Sequence, residues 1–199
     1  MIFKKDEVQL SLAQFEKSSG AKWITQLSFE NPKILGAIEK EGRKLYKKGE
    51  MTLEQTWFGK YYGKEIRSSF TPSLEIRWID ETLGWGVFAL ENLKKMQFVA
   101  EYVGNVRKRR RHDIKNAYCF EYVLVQGIGS SYTIDALDQG GVSRYINHSE
   151  NPNLNSALAT IDGVSHVILY AKVPIAKGEQ LCYDYGPDYW SKRTAPKPL

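Results

Sequence analysis

The 199-residue sequence predicts a mostly β domain with flanking helices, an α+β fold, on three observations. From Leu74 onward apolar and polar residues alternate with the period of two that a half-buried strand requires. Asp162-Gly163 stands between two apolar runs, the strongest short-range hairpin signal in the chain. Before residue 71 the apolar spacing is instead three to four, with helix-start chemistry at two places. The expected organisation is a helical N-terminal extension over 1–70, a β-rich domain over 71–186 and a tail over 187–199.

Taken in order, Lys4 to Ser18 sets Val8, Leu12 and Phe15 on one face and predicts a short amphipathic helix. Asn31-Pro32 reads as an N-cap followed by proline at the first helical position, with Ile34, Leu35 and Ile38 as the apolar stripe before Gly42. Thr52 and Gln55 have capping-box spacing and open a helix that carries Trp57, Phe58, Tyr61 and Tyr62 until Gly63. At helical spacing these aromatics read as a face docking on the next domain rather than as contacts to bases. Leu74, Ile76 and Trp78 then alternate with Glu75 and Arg77. Val87–Leu90, Phe98–Val106, Tyr118–Val125 and Tyr132–Ala136 follow as short strands. Leu154–Thr160 and His166–Val173 flank the Asp162-Gly163 turn; Pro174–Gly178 turns the chain into a last strand, Gln180–Tyr185.

Composition narrows the function classes. Two cysteines, Cys119 and Cys182, with no C-x-x-C pair indicate neither a disulfide framework nor a cysteine-based zinc site, and a reducing setting is expected. No apolar run approaches the roughly 20 residues of a membrane span, so a soluble, intracellular protein without membrane partners is expected. A net charge of +5 favours acidic partners such as nucleic acid or chromatin. The surplus sits in residues 1–70, with 13 basic against 9 acidic side chains, whereas 71–199 carry 15 against 14. Arg107–Arg111 is the one run of five consecutive basic residues. It reads either as a solvated loop or as a nuclear-targeting or nucleic-acid contact, because clustered Lys and Arg displace counterions from phosphates.

Arg144-Tyr145-Ile146-Asn147-His148-Ser149-Glu150-Asn151-Pro152-Asn153 concentrates three asparagines, a histidine and a serine within seven residues. Such a run cannot continue a helix or strand but can surround a polar ligand with hydrogen bonds. Asn147-His148-Ser149 is formally a glycosylation sequon, but no secretory signal precedes it. His148-Ser149-Glu150 echoes the H-x-E of zinc deaminases without the required P-C-x-x-C.

Downstream stands Gly178-Glu179-Gln180-Leu181-Cys182-Tyr183-Asp184-Tyr185-Gly186, and upstream stand Gly84-Trp85-Gly86-Val87-Phe88-Ala89 and Glu101-Tyr102-Val103-Gly104. In this order and spacing the four blocks, from about Leu74 to Tyr185, resemble the signature of the SET-domain protein-lysine methyltransferases. Ile161 to Leu169, leading to Tyr185, is similar to the monomethylating histone-lysine branch. The resemblance implies small sheets around a knot-like core, in which the last strand passes beneath the Asn147-His148 segment. It makes 71–186 the catalytic domain.

It also implies a methyl transfer from S-adenosylmethionine to lysine. That reaction chiefly needs alignment and a narrow, dry channel favouring the neutral amine. Tyrosine serves such a channel with an apolar ring and a fixed hydroxyl dipole. The resemblance maps the catalytic tyrosines onto Tyr102, Tyr183 and Tyr185, with Tyr185 supplying the catalytic hydroxyl and Tyr118, Phe120 or Tyr122 as further wall. For the cofactor it implies Gly84, Trp85 and Gly86, the Asn147 side chain, the His148 backbone and Tyr185. Arg144 reads either as cofactor-side or as an ion-pair partner for Glu179, the latter preferred. Because Glu150 and 186–199 lack the family's zinc cysteines, no metal is expected, and the chain is similar to zinc-free members of bacterial or viral type. Closure of the channel then falls to Pro187-Asp188-Tyr189-Trp190. The expected substrate is a histone or histone-like basic protein, in the cytoplasm or nucleus, or the host nucleus for a bacterial effector. A fold kept only for binding chromatin or nucleic acid is the alternative.

Overall fold

A computed structural model describes residues 1–125 and 127–190. The chain opens on strands β1 (Ile2–Lys5) and β2 (Val8–Leu10), then α1 (Leu12–Ser19), β3 (Lys22–Trp23) and β4 (Ser28–Phe29). Helices α2 (Pro32–Lys47), α3 (Leu53–Tyr61) and α4 (Gly63–Arg67) follow. The remainder is mostly strand: β5 (Leu74–Asp80), β6 (Gly84–Ala89), β7 (Phe98–Glu101), β8 (Asn105–Lys108), β9 (Cys119–Tyr122), β10 (Tyr132–Asp135) and β11 (Gln139–Gly140). Last come β12 (Asn147–His148), β13 (Leu154–Ile161), β14 (Val164–Ala171), β15 (Cys182–Tyr183) and α5 (Pro187–Trp190).

Among the described residues the strands form the sheets β2-β1-β5-β6, β4-β8-β10-β9 and β13-β14-β7, with the two-stranded pairs β11-β3 and β12-β15. The first 70 residues are therefore not purely helical: β1 and β2, β3, and β4 extend three different sheets. The helix expected from Lys4 is a hairpin turned by Asp6 and Glu7, both at positive φ (50° and 62°), which suits the primed turns that hairpins favour. Pairing turns Val8 outward, exposed at 61 %, and seats Phe3 on Phe15 with ring centroids 4.2 Å apart. The helix starts only at Leu12. Ser11 accepts from the Gln14 N–H and Gln14 accepts from the Ser11 N–H, a capping box, and Gly20 ends it in the left-handed conformation.

The second expected helix begins as predicted, with Asn31 accepting from Ile34 N–H and Pro32 in the first turn. It does not stop at Gly42 but runs on to Lys47. Gly42 instead lets α2 touch the β13–β14 turn, where a Cβ would lie 2.0 Å from the Gly163 carbonyl oxygen. Thr52 caps α3, but the Gln55 side chain turns inward, donating to Leu124 O and Thr160 Oγ1, both at 2.6 Å. Phe58 and Tyr62 are buried against Phe98, Ile168 and Tyr170, so half of the predicted aromatic face docks, while Trp57 and Tyr61 stay exposed.

The Asp162-Gly163 hairpin forms as expected, Leu154 facing Ala171 through Ile161 facing Val164. The long strand expected over Phe98–Val106 is two, broken at Tyr102-Val103-Gly104, where Gly104 lies so close to Asp135 O that a Cβ would be 2.6 Å from it. Among the described residues no helix is long and apolar enough to cross a membrane.

Candidate active site

Two short strands place the site. β12 pairs parallel with β15, setting Asn147 opposite Cys182 and His148 opposite Tyr183. A 3-10 turn, Val142–Tyr145, delivers Asn147 from the core, and Ser143 anchors that turn by donating to Glu101 O at 2.9 Å. Asn153 stitches the two segments: its Nδ2 donates to Gln180 O (2.8 Å) and its Oδ1 accepts from Cys182 N–H (2.9 Å), so one side chain supplies both bonds of a strand rung. His148 Nδ1 accepts from Tyr185 N–H at 3.2 Å.

Around this crossing lies a cavity of about 1020 Å³ that Tyr102, Tyr183 and Tyr185 all line. Tyr102 sits just past the end of β7, and Tyr183 in β15 packs on Tyr185 with ring centroids 4.8 Å apart. The Tyr102 hydroxyl donates to Tyr118 O (3.0 Å) and the Tyr185 hydroxyl to Ile146 O (2.8 Å). A phenol has one proton to give, so both oxygens are left with only lone pairs to present. The Tyr183 hydroxyl has no hydrogen-bond partner among the described residues. Burial raises all three phenols well above their ordinary range, so each remains an undissociated O–H. Tyr118 and Phe120 also line the cavity. Tyr122 does not: it is 1 % exposed and its hydroxyl accepts from Ser165 N–H.

Of the positions expected to hold a cofactor, Gly84, Trp85, Asn147 and Tyr185 line this cavity. Gly84 has φ of +69° and open space where a Cβ would stand, Trp78 being 3.9 Å away. The Asn147 Nδ2 is buried without a hydrogen-bond partner. Gly86 does not line the cavity: a Cβ there would meet Ile79 at 2.5 Å and Gln180 at 3.0 Å, so this glycine serves strand packing. The His148 ring lies outside the lining, packed against both Tyr185 and Trp190.

Arg144 is not paired with Glu179. Its Nε donates to Ala136 O at 2.6 Å and its guanidinium lies 3.9 Å over the Tyr118 ring, while Glu179 accepts from the Ala176 N–H. Ser18 and Ser19, at the end of α1, line the cavity as well, and Tyr145 donates to Ser19 Oγ at 3.1 Å. No motif marks these two serines; only the return of α1 beside the 3-10 turn brings them in. The basic run is divided. Arg107 is 5 % exposed and held by Asp113 and Asp135, both at 2.7 Å. Burial pushes the Asp113 carboxyl up, but Arg107 and the Arg110 backbone N–H outweigh it and hold Asp113 below its ordinary value. Arg109 and Arg110 pair with Glu121 (3.0 Å) and Glu30 (2.6 Å), and with Arg111 they rim the cavity. In α5, Tyr189 lies 4.7 Å from Tyr185 and lines the cavity, and Trp190 stacks parallel to Tyr185 at 6.1 Å. The rest of the tail, 191–199, lies outside the described residues.

Residues 84–186 match the SET domain. The chain belongs to the SET-domain family. The matched span runs from Gly84, at the cavity, to the residue after Tyr185, so SET residues line most of the site. Among curated relatives, a "Histone-lysine N-methyltransferase, H3 lysine-4 specific" of Neurospora crassa is 37 % identical over 109 residues, covering 51 % of this chain and 8 % of the relative. "Histone-lysine N-methyltransferase set-2" of Caenorhabditis elegans is 35 % identical over 111 residues, 51 % of this chain and 7 % of that protein. The chain thus spans less than a tenth of their length. Among solved structures, Arabidopsis thaliana SUVH6 in complex with SAM is 33 % identical with a TM-score of 0.51, over 59 % of this chain and 29 % of that one. ATXR5 in complex with histone H3.1, at 21 % identity, shares the fold over 88 % of this chain and 86 % of that one, with a TM-score of 0.62. The SET architecture of small sheets with a parallel crossing of β12 and β15 is thereby the fold of this chain, as the four sequence blocks implied.

Proposed function

We propose that the chain is an S-adenosylmethionine-dependent protein-lysine N-methyltransferase acting on a histone or histone-like basic protein. One observation carries this reading: the buried Tyr102 and Tyr183 and the partly buried Tyr185 converge on the cavity into which Asn147 brings a buried amide nitrogen that lacks a protein partner. An unsatisfied buried donor is costly, and a ligand acceptor would satisfy it. The donor set fits the cofactor's amino-acid end: Asn147 Nδ2, the open approach to the backbone at Gly84, and the hydroxyl of Ser18. When bound, S-adenosylmethionine supplies a methyl group activated by a sulfonium charge.

The chain's own residues do the rest by position. The Tyr102 and Tyr185 oxygens, their protons committed to backbone carbonyls, offer lone pairs to polarised C–H and N–H groups. The aromatic walls exclude water and disfavour a charged ammonium, so the lysine amine enters neutral with its nucleophilic pair free. The Tyr183 hydroxyl is available to hold a water beside the amine, filling the room a methylated nitrogen would need; this supports mainly monomethylation. α5, seated on Tyr185, serves as the closing wall. A histone substrate fits a nuclear location, the host nucleus for a bacterial effector, and a histone-like substrate fits the cytoplasm.

The alternative, a non-catalytic chromatin or nucleic-acid binder using Arg107–Arg111, is weakened because Arg107 is buried between Asp113 and Asp135 and Arg109 to Arg111 rim the reaction cavity. Incubation with isotopically labelled cofactor, purified histones and DNA-binding proteins, followed by mass spectrometry, tests both. Labelled methyl-lysine is expected. Cofactor binding without any labelled lysine would favour the binder.

A further inference from the structure

A second surface, sharing no residue with the reaction cavity, lies on the outer side of α2. Lys40, Arg43, Lys44, Lys47 and Lys48 line one shallow groove there, all exposed. Arg43 and Lys47 continue into a cavity of about 630 Å³ between α2, α3 and the β13–β14 turn, where Lys60 and Arg67 add two more cations and Thr56 a hydroxyl. Four carboxylates stand nearby, Glu39, Glu41, Glu50 and Asp162. They engage Arg43, Lys44, Lys48 and Arg67 in exposed pairs of the kind that a stronger anion displaces readily. Lys40, Lys47 and Lys60 form no ion pair among the described residues. The inner side of the same helix is apolar, Ile34 and Ile38 entering the cluster that holds Tyr102.

We infer that this face docks the phosphate backbone of duplex DNA. Charge complementarity along a line supports this. Lys40 and Lys47, both unpaired, stand about 10 Å apart along α2, and a duplex carries roughly one negative charge per 1.7 Å of its axis, so both can meet phosphates of one duplex while Lys60 on α3 adds a third contact. The Arg107–Arg111 run offers less: Arg107 is buried between Asp113 and Asp135, and the following arginines turn to the reaction cavity. The docking surface does not depend on the methyl-transfer reading, since no residue of it lines that cavity.

The test is fluorescence anisotropy with a labelled 20-base-pair duplex from about 50 to 300 mM salt, on the full chain and on the triple variant Lys40→Glu, Lys47→Glu, Lys60→Glu. Salt slopes fall by about 0.9 per lost phosphate contact, so the slope is expected to drop by two to three and the affinity near 0.1 M salt at least tenfold. Circular dichroism melting of the variant, unchanged from the parent, separates this from misfolding. The inference is overturned if the correctly folded variant binds duplex like the parent. Equal affinity for poly-glutamate, or tighter binding to 30 % phosphatidylserine vesicles or to the single strand alone, overturns it too.

Discussion

Replacing Gly42 by alanine is expected to destabilise the protein, although the same change at Gly36, six residues earlier in α2, is expected to stabilise it. Alanine is a better helix former than glycine by about 0.8–1 kcal/mol, and at Gly36 nothing lies within 4 Å of the added Cβ, so that gain is realised. At Gly42 the Cβ would stand 2.0 Å from the Gly163 carbonyl oxygen and 2.7 Å from its carbon, both backbone atoms. That is well over 1 Å short of the 3.5 Å or more at which such contacts become favourable. Gly163 has little freedom to retreat, since it occupies φ of +91° in the hairpin turn and backs onto Glu39 O and Arg43. Overpacking against rigid atoms costs about 1–3 kcal/mol, which outweighs the propensity gain. For a chain of this size 1 kcal/mol moves Tm by roughly 2–4 °C, so Gly36→Ala should melt about 2–4 °C higher, and Gly42→Ala, whose clash with backbone puts it at the upper end of that cost and leaves a net loss of about 2 kcal/mol, about 4–8 °C lower. Differential scanning calorimetry at one pH and concentration decides it. If Gly42→Ala melts higher than the parent, α2 does not press on the turn as described.

Tyr185→Phe keeps the ring stack but deletes the 2.8 Å bond to Ile146 O, so turnover should fall on the order of a hundredfold, with Tm down only a few degrees and calorimetric cofactor affinity nearly unchanged. Activity within tenfold of the parent would remove Tyr185 from the mechanism. Asn147→Ala should weaken cofactor binding by roughly tenfold, the worth of one buried hydrogen bond, in the same titration. An unchanged Kd would mean that the amide faces something else. Tyr183→Phe should shift peptide products toward di- or trimethyl-lysine in time-resolved mass spectrometry; a parent that already trimethylates readily contradicts the role given to that hydroxyl. Stability should decline above pH 10, because burial raises Tyr102 and Tyr183 in the folded state while the unfolded phenols ionise near 10, so the native state binds more protons. The contribution of each group, complete below pH 10, is lost at up to about 1.4 kcal/mol per pH unit above it. The half-buried Cys119 and buried Cys182 thiols, both pushed up by desolvation to about 11, add to the decline from pH 9. A urea midpoint that stays flat from pH 9 to 11 would show these groups to be solvated.

What the sequence revealed were features with local chemistry. Asn31-Pro32 carries its own cap, Asp162-Gly163 its own turn, and the tyrosines around Asn147 are spaced as in the family. What stayed hidden depends on partners far along the chain. Val8 fits a helical stripe with Leu12, and only its pairing with Lys5, and that of Ile2–Lys4 with Glu75–Arg77, shows the segment before Leu12 to be strand. Gly42 and Gly86 look like a stop and a ligand cradle because the Gly163 backbone that meets the one and the Ile79 and Gln180 side chains that meet the other leave no trace beside them. Arg107 belongs by sequence to a solvated run; Asp135, 28 residues on, makes it a buried ion-pair hub. Ser18 and Ser19 reach the cavity by tertiary placement alone.

The parallel pairing of the first strands has a consequence for how the chain is made. Lys22-Trp23 waits for Gln139-Gly140, Ser28-Phe29 for Asn105-Val106, and Ile2–Lys4 for Glu75–Arg77. At ordinary elongation rates of 5–20 residues per second the first of these partners emerges on the order of ten seconds after its mate. During that interval the nascent chain carries strand edges with free N–H and C=O groups, a state that invites pairing with other chains. Among the described strands Lys22-Trp23 thus waits longest for its partner, although β12 and β15 are the last to pair. A ribosome-bound chaperone, or slow release from the tunnel, should raise the yield of native protein more than any substitution in the core.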